Sequence, residues 1–250
     1  MMKIKKIAHT KIITSHIIPM IILTALISVN LSRAKPAPPP PPPQQEPPPP
    51  SPEQIMSELR SALQPLSNAV NTNTGLPPNQ HEGILNNLRS VKAKYSSIEN
   101  GKIAIGKVAL EIDELIKKAR DIQRWGLVKL GIMAYDVLRP GATSPDGKYA
   151  RLLERANLMI ARPKVEVNGF LQAENDIYIF LTVTDVTTQK TENFKVREGE
   201  EFYEPVDPQN KTKKSPQLRV VRVIGDQQSV ELLYIPANET WIVPGPKTKG

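Results

Sequence analysis

Apolar residues recur at helical spacing through the middle of the chain, and from Pro163 onward the period changes to two. Ser51-Pro52-Glu53-Gln54 predicts a helix start. Serine can cap, proline is tolerated at the first helical position, and Gln54 can close a capping box. Ile55, Leu59, Ala62 or Leu63, Leu66 and Val70 then follow on one face, with Pro65 expected to kink or end the run. Asn71 to Pro78 is a loop rich in helix breakers. Ile84, Leu88, Val91, Tyr95 and Ile98 step by four and three, and after Glu99-Asn100-Gly101 the rhythm resumes at Ile105, Val108, Ile112, Leu115, Ala119 and Ile122. Asn-Gly signals a turn, which favours a helical hairpin over one unbroken helix across 79–124. Leu127 to Leu138, stopped by Pro140-Gly141, and Tyr149 to Ile160 complete the helical region. Such stripes are core far more often than cofactor boxes, although they could also support a homo-oligomer. The charges Arg120, Arg124 and Lys129 read as a solvated helix face.

Beyond Pro163, Val165, Val167, Gly169 and Leu171 are expected to share one strand face. A turn at Ala173 to Asp176 leads to Ile177, Ile179, Leu181 and Val183 on one face, with Tyr178, Phe180, Thr182 and Thr184 on the other. Thr191–Val196, Glu201–Tyr203, Leu218–Ile224, Val230–Ile235 and Thr240–Val243 are further short strands. The fold class is therefore α+β: a helical hairpin or bundle over 51–161, then a small antiparallel β-sandwich or half-open barrel over 162–246.

The N-terminus carries a different pattern. Lys3, Lys5, Lys6 and Lys11 precede an apolar stretch densest from Ile17 to Val29. Thirteen residues suit the roughly 7–15 of a signal peptide, and Ser32-Arg33-Ala34 permits cleavage after Ala34. Extended to Ile12–Leu31, the stretch reaches the roughly 20 residues of an uncleaved anchor with its N-terminus cytoplasmic. Either reading of residues 1–34 exports the remainder to the periplasm or cell envelope. Residues 35–50 are a proline-rich tether, and 12 of the 25 prolines fall within 36–52. Proline fixes φ and donates no hydrogen bond, so this stretch is read as a semi-rigid polyproline spacer reaching roughly 50 Å.

Charge and composition then remove function classes. The net charge of +8 resides mainly in residues 1–35, which hold six Lys/Arg and no acid, leaving 27 basic residues against 25 acidic ones. The body therefore lacks the basic surplus that nucleic-acid binding requires. There is no cysteine, and only His81 lies outside the first 35 residues. Disulfides, thiol catalysis and Cys-ligated metals are excluded, and histidine triads and clusters nearly so. Glu198, Glu200 and Glu201 crowd one turn, whereas paired-carboxylate catalysis needs acids facing each other across a cleft. The loop Pro205 to Pro216 carries Lys211, Lys213 and Lys214, and Asn210 and Asn238 head glycosylation sequons. No enzyme activity and no cofactor or metal is expected.

Val167-Asn168-Gly169-Phe170, Ile179 to Asp185, Phe194 to Glu200, Val220 to Gly225 and Val230-Glu231-Leu232 follow a recognisable order. A strand ending at Gly-aromatic precedes a strand leading into a turn, then x-V-x-x-G-E, then V-x-x-I-x-x-x-x-x-V-x-L. This resembles the periplasmic homology-region domain of the type II secretion inner-membrane C component, and the pilus P protein of type IV pilus machines. The pilus protein is typically a lipoprotein, and this chain has no cysteine to acylate. The resemblance implies a tethered β-domain that docks a protein partner such as the N-terminal domains of a secretin. It points to a non-enzymatic adaptor of an envelope machine, with strand addition at a sheet edge as a natural binding mode. Tyr178, Phe180, Tyr234 and Trp241 are the candidate partner anchors, because aromatics dominate interface energetics. The alternative is a periplasmic or secreted small-ligand or glycan module, whose cleft would use Tyr178, Trp241 or Tyr203.

Overall fold

The computed structural model describes residues 48–174, 176–206, 215–225 and 229–246. The targeting segment, most of the tether, Lys211, Lys213, Lys214 and the Asn210 sequon lie outside the described residues. Among these residues five helices come first: α1 (Pro52–Asn71), α2 (Pro78–Tyr95), α3 (Glu99–Asp121), α4 (Trp125–Leu138) and α5 (Ala150–Ala161). Seven strands follow: β1 (Lys164–Ala173), β2 (Asp176–Thr184), β3 (Thr191–Val196), β4 (Glu201–Phe202), β5 (Leu218–Ile224), β6 (Ser229–Tyr234) and β7 (Glu239–Pro244).

The Ser51 box forms as its residue types require: Ser51 Oγ accepts from the Gln54 amide at 3.3 Å, and Gln54 Oε1 from the Ser51 amide at 2.9 Å. Of the two expectations for Pro65, a kink or an end, the end is not met, because Pro65 lies inside α1. The carbonyl it deprives of a partner belongs to Ser61, which is exposed to water like Pro65 itself. Leu63, Leu66, Ala69 and Val70 bury on either side of it and carry the helix through. The expected break between α2 and α3 exists, but it falls at Ser96–Ile98, and Asn100-Gly101 lies within the first turn of α3. Both helices pack mainly on α1 and α4, around Leu59, Leu66, Leu88, Ile112, Leu130 and Ile132.

The β-module has two antiparallel sheets, β1-β2-β3 and β4-β5-β6-β7, enclosing one core and not closing into a barrel. Along β2 the predicted alternation holds, with Ile179, Leu181 and Val183 fully buried. The predicted face of β1 does not persist. Asn168 is the extra residue of a bulge, so that Val167 faces Leu181 while Gly169 faces Phe180. Beyond it the pattern inverts: Phe170 packs on the core and Leu171 is turned outward. The two cores meet at α5, whose Ala156 belongs to the helical core and Met159 to the β core, and at Trp125, which packs against both.

Candidate partner-docking face of the β-module

The outer face of the first sheet divides into two zones. At one end a polar ladder crosses all three strands: Asn168 Nδ2 donates to Thr182 Oγ1 (2.6 Å), which donates to Asn193 Oδ1 (2.8 Å). At the other end lie apolar and aromatic side chains. Leu171 stands opposite Tyr178, and Phe180 opposite Lys195, each pair sharing a face because cross-strand neighbours do. Leu171 is 47% and Phe180 36% exposed. Lys195 Nζ lies 4.0 Å from the centre of the Tyr178 ring, and the Arg197 guanidinium 5.8 Å from it. Arg197 also pairs with Asp176 at 3.1 Å, which raises its pKa. The cluster is thus a hydrophobic patch with a cationic border, beside β3 at the edge of its sheet.

Of the four candidate anchors, Tyr178 and Phe180 come together here, and Tyr234 and Trp241 do not. Tyr234 follows Val230 and Leu232 on the inner face of β6 and is 2% exposed, so it offers no surface to a partner. Burial raises the pKa of its hydroxyl. Trp241 stands opposite Leu232 on the inner face of β7, half-buried against the core, with the Arg162 guanidinium 4.6 Å above its ring. Burial lowers the Arg162 pKa. Tyr203 is a core residue as well, edge-on to Phe194. Tyr178 thus lies on the outer face of the first sheet, whereas Tyr203 and Trp241 pack on the core side, and the three do not line one common cleft.

Leu171, Lys195 and Arg197 escaped the sequence reading. The bulge that turns Leu171 outward has no periodic signature, and the cations join the site only through strand pairing. The three glutamates of the following turn each hold a partner within the β-module. Glu200 accepts from the Arg197 amide at 3.0 Å, Glu198 from the Val223 amide at 2.5 Å, and Glu201 pairs with Arg219. Among the described residues, no group of three or more His, Asp or Glu could hold a metal ion, and no helix is long and apolar enough to cross a membrane. Comparison of the chain with protein-family models, with curated proteins and with solved structures finds no match.

The β2–β3 turn is fixed by Asp185. Its carboxylate accepts from the amides of Thr187 (2.8 Å) and Thr188 (2.7 Å) and from the Tyr203 hydroxyl (2.7 Å). Burial alone would raise its pKa, but these donors together hold it below the ordinary value. A carboxylate with a depressed folded pKa stabilises above its unfolded pKa, and that contribution is lost as pH falls through the folded value. Asp185→Asn is expected to cost about 1 kcal/mol near neutral pH, allowing for solvent screening. The cost should shrink toward zero in acid, as measured by urea midpoints across pH. A difference that stays constant with pH would refute the linkage.

Proposed function

We propose that this protein is an exported, non-enzymatic adaptor of a bacterial envelope machine of the secretion or pilus type. Residues 1–34 deliver or anchor it, and the proline-rich tether holds the folded part away from the membrane. The β-module docks a protein partner such as the N-terminal domains of a secretin. The observation carrying this reading is the Leu171–Tyr178–Phe180 patch, an apolar surface bordered by Lys195 and Arg197 and turned outward beside a sheet edge. Exposed apolar patches with polar rims mark interaction sites, and an edge strand adds backbone hydrogen bonds to such contacts. The order of targeting segment, tether, helical module and β-domain supports placing that surface in the envelope.

The test is capture of a secretin by the full-length chain from crosslinked envelopes, compared with Phe180→Ala. A central aromatic anchor contributes about 2 kcal/mol, so recovery should fall roughly thirtyfold. The unfolding free energy should move by about 1 kcal/mol or less. Unchanged capture by a folded Phe180→Ala protein would remove the patch from the account. Absence of a secretin from the wild-type capture would remove the machine.

A further inference from the structure

A second surface, on the helical module and independent of the β face, has the makings of a binding site. A cavity of about 730 Å³ opens between α2, α4 and the start of α5. Its floor is apolar, from Ala93, Met133, Val137, Pro140 and Leu153. Leu153 and Asn157 also line a second depression of about 400 Å³, which continues past Leu158 to Ala161. Together they form a groove along α5, whose 12 residues span about 18 Å. That length exceeds what a compact small ligand needs and matches about three turns of a docked helix.

The groove is cationic at its wider part, where Arg89, Lys92 and Lys129 contribute to the lining. Lys92 Nζ donates to the Val137 carbonyl (2.7 Å) in the last turn of α4, which holds the ammonium at the groove wall. Arg89 is engaged only by exposed partners, Glu82 at 2.7 Å and Asn86 at 2.6 Å, which a ligand carboxylate could replace. Lys129 has no ion pair or hydrogen bond among the described residues, although it is half-buried. The carboxylate in the lining, Asp136, accepts from the Thr143 amide at 3.1 Å. In this wider part three cations therefore face one carboxylate, while Glu154 borders the narrower end, leaving the groove cationic at one end.

This charge also selects the kind of occupant. Of the chain's segments outside the described residues, 1–47, 207–214 and 247–250 are each net basic by sequence and would be repelled, and 226–228 is too short to fill the groove. We propose that the α2–α4–α5 groove seats an acidic amphipathic helix from another protein. Its apolar stripe lies on Met133, Val137, Leu153 and Leu158, and its Asp or Glu flank lies against Arg89, Lys92 and Lys129. The unbranched Met133 can adapt to the side chains of different partners.

The probe is a displayed library of helical peptides about three to four turns long, with a fixed leucine stripe and random flanks, selected on the full-length chain. Selected peptides are expected to be enriched in Asp and Glu at the flanks. Their affinity should fall at least roughly tenfold on Lys129→Glu and on Met133→Glu, and should weaken as salt rises. Arg89→Glu alters an exposed side chain and serves as the variant that keeps its fold, with a loss of the same sign. Selected peptides without acidic bias, or affinities indifferent to all three variants, would overturn the proposal. So would a selection that yields no binder while dodecanoate binds wild type and not Lys129→Glu, since the site would then belong to a fatty-acid carboxylate.

Discussion

Gly101→Ala should lower the unfolding free energy by about 3 kcal/mol, a large effect for one methyl group. Gly101 is buried in the first turn of α3, immediately after the chain turns out of α2. A Cβ there would be driven into the carbonyl oxygen of Tyr95 and lie 2.7 Å from its carbonyl carbon. Those atoms are backbone at the end of α2 and cannot rotate away, so relief requires moving one helix against the other. The opposing effect, alanine's better helix propensity, contributes only about 1 kcal/mol, and the clash wins. Gly83→Ala is the internal control. It lies exposed within α2, and a methyl group added there would meet no atom within 4 Å. Only the propensity gain remains, so stability should rise by up to about 1 kcal/mol. Urea denaturation followed by far-ultraviolet circular dichroism measures both. Equal stability of the two variants would refute the close approach at Tyr95.

The same corner illustrates what the sequence makes legible. Asn-Gly announces a break near residue 100, and a break is present, but its place depends on which residue tolerates contact with Tyr95, a tertiary fact. Local signals were readable wherever one residue type satisfies one local need: the Ser51–Gln54 box, or the two faces of β2 from Ile177 to Thr184. They failed where the decision lay elsewhere. Pro65 reads as a kink or a helix end, yet α1 continues past it, because burial of Leu63 and Leu66 outweighs one lost hydrogen bond at a wet carbonyl. The Asn168 bulge exchanges Phe170 for Leu171 on the outer face, because the pairing of β1 with β2 sets the register and the alternation in β1 does not record it. For the site, the β2 members Tyr178 and Phe180 were readable as one face. Tyr234 and Trp241 were not separable from them, since an aromatic in an alternating strand reads the same on the core side as on the solvent side. The groove along α5 was invisible, because Lys129 and Met133 look like an ordinary helix face until α2 and α5 are placed beside them.

Leu181→Ala should produce the other large effect, and it distinguishes the two cores. Leu181 is fully buried on the central strand of its sheet, opposite Val167 and Phe194, where truncation of leucine costs about 2–5 kcal/mol. The loss should be confined to the β-module. Leu181 belongs to a core joined to the helical one through α5, Trp125 and the Arg155–Glu239 pair, a narrow connection for transmitting destabilisation. With Trp125 replaced by phenylalanine, Trp241 is the chain's one tryptophan and reports the β core against which it packs. In that background, Leu181→Ala is expected to shift the Trp241 fluorescence transition to lower urea by about 3 kcal/mol. The circular dichroism of the five helices should persist to higher denaturant. Phe180→Ala, one residue away on the outer face, should leave the Trp241 transition within about 1 kcal/mol of its parent. If fluorescence and ellipticity instead fall together in Leu181→Ala, the connection through α5 makes the modules one cooperative unit. The folded part would then present the two proposed surfaces in a fixed relation, and a partner seated on one would stabilise the other by linkage.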